Sequence, residues 1–152
     1  MRYLVGVGNS SMADDGVGLR IVESIARSGL ERGFEAVTIA DEGMRLLIYL
    51  TEDTEKIVIV DAVDMGLAAG EYRLFKPEDV ETEKRTTGLT THEGDILRVL
   101  GLARELGFAV PPITILGIQP QSLGPGQDLS PALGERFDTY VRAAMEEIGR
   151  NG

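Results

Sequence analysis

Three acidic positions and one histidine carry most of the chemistry this sequence can offer. Asp14 and Asp15 stand side by side, Asp61 follows the run Ile57-Val58-Ile59-Val60, and His92 is the single histidine. An ionised carboxylate at the end of an apolar strand needs a partner, because burying a lone charge is costly. A neutral imidazole binds metals, and with carboxylate oxygens it makes a mixed nitrogen and oxygen site suited to nickel, zinc, iron or manganese. His92 falls in the first turn of an expected helix, where the partial positive charge of the helix end disfavours imidazolium. Each residue also has a plainer use. A lone histidine is commonly a hydrogen-bonded surface group, and an aspartate ahead of a helix is commonly its N-cap. Asp14 is expected mainly to cap, but a cap does not require two adjacent acids.

Two other chemistries fit less well. Gly6-Val7-Gly8 after a strand begins a dinucleotide-binding fingerprint, and Asp41 stands where an acid could hold a ribose. The third glycine of that pattern is replaced by Ser11, and Asp14 and Asp15 put negative charge where a pyrophosphate would have to lie. A serine hydrolase would need a G-x-S-x-G elbow, which the sequence lacks. Cysteine is absent, which excludes disulfides and thiolate ligands.

The elements that must position these residues alternate between strand-like and helix-like runs, the pattern of a layered α/β fold. Leu4–Val7, Ala36–Ile39, Ile57–Val60, Tyr72–Phe75 and Ile113–Leu116 read as strands. The four consecutive β-branched residues of the third predict burial on both faces, and the alternation of the fourth predicts an edge or antiparallel strand. A first helix follows Asp14-Asp15 with Val17, Ile21, Val22 and Ile25, and another covers Met44 to Leu50. Thr90-Thr91-His92-Glu93 reads as a capping box opening a helix that runs through Ile96, Val99, Leu100, Ala103 and Leu106 to Gly107. The last helix is expected to open with Ser130 as N-cap and Pro131, and Leu133, Phe137, Tyr140, Val141, Ala144, Met145 and Ile148 fall on one face of it. In open sheets of this kind ligands bind beyond the carboxyl ends of the strands, and Asp14, Asp15, Asp61 and His92 all fall at that edge. The expected fold is α/β: three layers, with a twisted, mostly parallel mixed sheet of about five strands and helices on both faces.

The bulk numbers narrow the partners. The chain has 152 residues and a formal net charge of -10, a sum that repels nucleic acid and anionic membranes and suits a cation or a basic partner. No apolar run is long enough to span a bilayer and no signal-peptide layout is present, so the expectation is a cytoplasmic protein, a single domain over residues 1–152 and a monomer.

Gly6-Val7-Gly8-Asn9, Asp14-Asp15-Gly16-Val17-Gly18, Val60-Asp61-Ala62, His92 and Gly117-Ile118-Gln119-Pro120, followed by Leu129-Ser130-Pro131, together resemble the hydrogenase maturation proteases over essentially the whole chain. Each piece is short, but the ordered set is specific. The resemblance implies a twisted mixed sheet between helices. It also implies an endopeptidase, aspartic-type or metal-dependent, that removes a short C-terminal peptide from the precursor of a nickel-containing hydrogenase large subunit after nickel insertion. The partner is then that precursor, and nickel arrives with it; another divalent metal can stand in for it in vitro. The family's metal ligands map onto Asp15, Asp61 and His92, with Asp15 and Asp61 also the candidates for catalysis. The sequence departs from its relatives in having Asp15 where glutamate is frequent, which leaves Asp14 and Asp15 as alternative ligands. Its turn Asp41-Glu42-Gly43-Met44 is shorter than the glycine- and threonine-rich turn of relatives. A non-hydrolytic nickel-binding maturation chaperone would use the same three residues; a nucleotide-binding domain is the more distant alternative.

Overall fold

Five strands form one sheet: β1 (Arg2–Val7), β2 (Glu35–Ala40), β3 (Lys56–Ala62), β4 (Tyr72–Phe75) and β5 (Ile113–Ile118), in the order β2-β1-β3-β5-β4. The computed structural model describes residues 1–79 and 91–151, without the side chains of residues 91–95. β2, β1, β3 and β5 run parallel, and β4 pairs antiparallel with β5 at one edge. β3 is buried along its whole length, as its β-branched run predicts for a central parallel strand. It continues past Val60, because β5 keeps pairing with it at Asp61↔Gly117 and Ala62↔Ile118. Asp61 therefore lies inside the strand rather than at its end.

Alternation along the strands sends side chains to two cores. Leu4, Val58, Val60, Ala62, Leu116 and Ile118 pack with α1 (Val17–Arg27) and with Tyr140, Ala144 and Ile148 of the C-terminal helix. Val5, Val7, Ile57, Ile59, Ile113 and Ile115 pack on the opposite face with Leu46 and with Ile96, Val99, Leu100 and Ala103 of α2 (Thr91–Glu105). The result is the expected three-layer α/β/α arrangement. α2 ends in a Schellman motif: Gly107 has φ +82, its N–H donates to the Arg104 carbonyl, and the Phe108 N–H donates to the Ala103 carbonyl. The capping box expected at the start of α2 lies outside the described residues.

Two helices differ from the sequence expectation. Gly43–Tyr49 is a 3-10 helix rather than an α-helix, with Leu46 buried and Met44 and Ile48 exposed. The last helix is split into α3 (Pro131–Gly134) and α4 (Phe137–Gly149). The break is held from outside: the Arg136 guanidinium and the Tyr140 hydroxyl both donate to the Gly70 carbonyl, at 2.8 and 2.6 Å.

Candidate functional site

β1 and β3 deliver the first components to one edge of the sheet. Beyond Val7 the chain turns through Gly8, whose φ of +131 lies in the region that favours glycine. A Cβ at Gly8 would collide with the Asp15 carbonyl, so this glycine lets the following turn close against β1. That turn is a short 3-10 helix, Ala13–Gly16, which carries both acids and leads into α1. Gly18, at the start of α1, lies so near the Val60 carbonyl of β3 that a Cβ there would also collide. The Gly-x-Gly turn and the glycine of α1 thus serve close packing of turn, helix and strand.

The two adjacent acids have different surroundings. Asp14 is fully buried, and both its oxygens bind the loop that leads to α3. Oδ2 accepts from the backbone N–H of Gln121 (2.9 Å), the N–H of Ser122 (3.0 Å) and the Ser130 hydroxyl (2.8 Å), while Oδ1 accepts from the Ser130 N–H (2.7 Å). Burial works to raise the pKa of Asp14. The donors from Ser130, Ser122 and Gln121 outweigh it and hold the carboxyl below the usual aspartate value. Asp14 is therefore not the N-cap of α1; that position is Gly16, with no side-chain cap bond. The local preference of aspartate for caps is overridden by a network of four donors. Ser130 does take the N-cap position before Pro131, with φ -60 and ψ 155, but its hydroxyl turns to Asp14 instead of capping α3. Asp15, largely buried, accepts the Asn9 N–H on Oδ2 at 3.0 Å.

Asp61 continues the series Ile57, Ile59 on β3 and so points to the face covered by α2. The direction of α2 follows from its far end. Arg104 in its last turn lies 3.8 Å from Glu78, beyond the end of β4, which runs from Tyr72 opposite Ile118 down to Phe75 opposite Ile115. Its first turn, with His92 as the second residue, accordingly faces the carboxyl edge of the sheet where Asp61 sits. The side chain of His92 lies outside the described residues. Among the described residues no group of three His, Cys, Asp or Glu side chains could hold a metal ion.

Gln119, just beyond β5, is a positioning group that the sequence offered only as part of a motif. Its Oε1 accepts the N–H groups of Met65 (2.7 Å) and Leu67 (3.2 Å), and its Nε2 donates to Asp64 at 3.2 Å, so it ties down the loop that follows Asp61. A cleft of about 460 Å³ opens on the Asp61 side of the sheet between the 41–45 turn and Arg98 and Val99 of α2. At the opposite edge, Lys56 and Glu147 form a buried ion pair with N···O 3.2 Å.

A twisted, mainly parallel sheet with acids and a helix start gathered at its carboxyl edge can be compared with known proteins. The family described as hydrogenase maturation protease matches residues 19–147. This chain belongs to the hydrogenase maturation protease family. Among its relatives, the hydrogenase expression/formation protein HupD of Thiocapsa roseopersicina is 30% identical over 98% of this chain and 68% of that protein. HupD of Rhodobacter capsulatus is 29% identical over 95% of this chain and 70% of that protein. The hydrogenase maturating endopeptidase HybD of E. coli superposes with a TM-score of 0.79 at 25% identity, covering 97% of this chain and 93% of that one. The fold is likewise that of the HybD maturation protease of Thermococcus kodakarensis, with a TM-score of 0.80 at 24% identity over 98% of this chain and 99% of that one. As a hydrogenase maturation protease the chain is a peptidase. The span matched by the family begins just after Asp15 and contains Asp61 and His92. No helix among the described residues is long and apolar enough to cross a membrane.

Proposed function

We propose that this maturation protease removes the C-terminal peptide of a nickel-containing hydrogenase large-subunit precursor once nickel has been inserted, and that it reads the nickel as its recognition element. In this reading Asp15, Asp61 and His92 are the protein's nickel ligands. The observation that carries it is the convergence at one sheet edge of Asp15 in the turn after β1, Asp61 near the end of β3 and the first turn of α2 that holds His92. Asp15 is preferred to Asp14 because both oxygens of Asp14 are committed to residues 121–130.

Nickel is cargo of the substrate here. Three side-chain ligands leave coordination positions for groups of the precursor, so the metal docks the tail beside the carboxylates. Bound in this way it supplies a Lewis acid that polarises a carbonyl. Asp15 or Asp61 acts as general base, taking a proton from the attacking water. The hydroxide adds to the scissile carbonyl carbon, the C–N bond breaks, and the proton passes to the leaving amine.

Mass spectrometry of the precursor, prepared with and without nickel and incubated with the enzyme, tests the proposal. Loss of a C-terminal peptide from the nickel-loaded form alone is expected. Cleavage of both forms would remove the nickel checkpoint while leaving the peptidase. Nickel binding with no cleavage of either form would replace the reading with that of a non-hydrolytic maturation chaperone.

A further inference from the structure

Asp14 is buried beside the proposed site and takes no part in the proposed chemistry. It precedes Asp15 directly, and the segment around it is held in a costly conformation. Ala13 has φ +48, a left-handed backbone that non-glycine residues adopt only when their surroundings over-determine it. The surroundings here come from the 121–130 loop. The Ala13 N–H donates to the Gly126 carbonyl at 2.7 Å, the Gly126 N–H to the Ser11 carbonyl at 3.0 Å, and the Asp14 N–H to the Ser122 carbonyl at 3.0 Å. The Asp14 carboxylate locks the same loop through four further hydrogen bonds.

Asp15 is held on its other side as well. Its N–H donates to the Met12 carbonyl at 3.0 Å, its Oδ2 accepts the Asn9 N–H, and its carbonyl packs on Gly8. A residue fixed from both sides presents its carboxylate in one direction, which a metal ligand or base requires to within a fraction of an ångström.

We infer that Asp14 is a positioning residue: by clamping the 121–130 loop onto the turn at Ala13, it sets the direction in which Asp15 presents its carboxylate. The inference rests on the proposed role of Asp15. It extends the working parts of the enzyme to Ser130, which touches Asp14 through both its N–H and its hydroxyl.

The test uses Asp14→Asn, which turns an amide N–H₂ toward the loop donors, and Ser130→Ala, which removes one donor from the other partner. Three readouts are taken on the full chain: kcat and KM for the nickel-loaded precursor, the affinity for Ni²⁺ alone by calorimetry, and the melting temperature. Loss of a group that orients a ligand costs about tenfold or more in metal affinity or activity. Asp14→Asn should therefore lower kcat and Ni²⁺ affinity by about tenfold, with KM rising in step with the weaker docking through nickel, and Ser130→Ala should move all three in the same direction by less. A lower melting temperature with kcat and Ni²⁺ affinity intact would overturn the inference, leaving a structural clamp. A raised KM with kcat and Ni²⁺ affinity intact would also overturn it, since the loop would then be contacting the precursor. If Asp14→Asn fails to fold, Ser130→Ala decides alone. If the wild-type enzyme cleaves nothing, the proposed function fails, and the Ni²⁺ affinities still decide the positioning role.

Discussion

Lys56→Met should destabilise the protein without touching its chemistry. Lys56 opens β3 at the edge away from Asp61, and its side chain is 4% exposed. Its ammonium donates to the Glu147 carbonyl at 2.6 Å, to Glu147 Oε1 at 3.2 Å and to the Arg150 carbonyl at 3.0 Å, so it both pairs with a buried acid and caps the last turn of α4. Removing one partner of a buried pair costs about 3–5 kcal/mol. The lower end applies here, because Glu147 keeps the Thr114 hydroxyl at 3.1 Å and the exposed Arg150 guanidinium at 3.7 Å. A loss of about 3 kcal/mol corresponds to a fall of about 6–12 °C in melting temperature for a chain of this size. Calorimetry at neutral pH reads it, with Lys56→Met/Glu147→Leu as the control. A buried pair replaced by apolar residues is often neutral or stabilising, so the double variant should recover about 1–2 kcal/mol of the loss. Full recovery is not expected, because the carbonyls of Glu147 and Arg150 still lack their donor. A fall of under about 2 °C in the single variant, or a double variant no more stable than the single, would refute the reasoning. Cleavage at 25 °C should match wild type in both.

Gly18→Ala should cost about 3 kcal/mol through overpacking, because the added Cβ meets the Val60 and Val7 carbonyls, which are backbone and cannot swing aside. Gly101→Ala, in α2 with nothing near its absent Cβ, should instead stabilise by up to about 1 kcal/mol from helix propensity; urea denaturation of both variants reads the opposite signs. The depressed pKa of Asp14 means that its contribution is fully present above its ordinary value of 3.8 and is lost as pH falls through the lower folded value. The stability gap between wild type and Asp14→Asn should accordingly be widest near neutrality and shrink on acidification below about pH 4, measured as melting temperature against pH; a gap independent of pH would contradict the ionised clamp. His92→Ala should abolish precursor processing while circular dichroism and the melting transition persist, and a variant that still cleaves normally would remove His92 from the site.

Where the sequence signal was local, it was legible. Four consecutive β-branched residues announced a strand buried on both faces, and the alternation in Tyr72–Phe75 announced an antiparallel edge. Gly107 marked the end of α2 because a left-handed C′ residue is a local demand. What escaped was set by distant partners. Asp14 carries every local sign of a helix cap, yet its carboxylate bonds to residues 107 to 116 positions away. Ser130 likewise has the position of a cap and the hydrogen bonds of a clamp. The apolar spacing of the last helix runs unbroken from Leu133 to Ile148, and nothing in it reveals that contacts to Gly70 set a break at residues 135–136. The 3-10 winding of Gly43–Tyr49 was hidden too, since Leu46, Leu47 and Leu50 fit either helix over so short a segment.

The glycines and acids after β1 explain why this edge suits a cation. A dinucleotide site needs glycines that admit a pyrophosphate and a helix start with its N–H groups open to anions. Here the room made by Gly8 is filled by the Asp15 carbonyl and the room made by Gly18 by β3, so neither leaves a berth for phosphate. The turn ahead of α1 places two buried acids at the positive end of the helix, where the macrodipole favours their charge. One of them, Asp14, turns its negative charge inward to hold a loop, and its neighbour Asp15 lies at the edge shared with Asp61. The rule that ligands gather at the carboxyl ends of parallel strands is kept while the sign of the ligand's charge is inverted, in keeping with a proposed cargo that is a divalent cation.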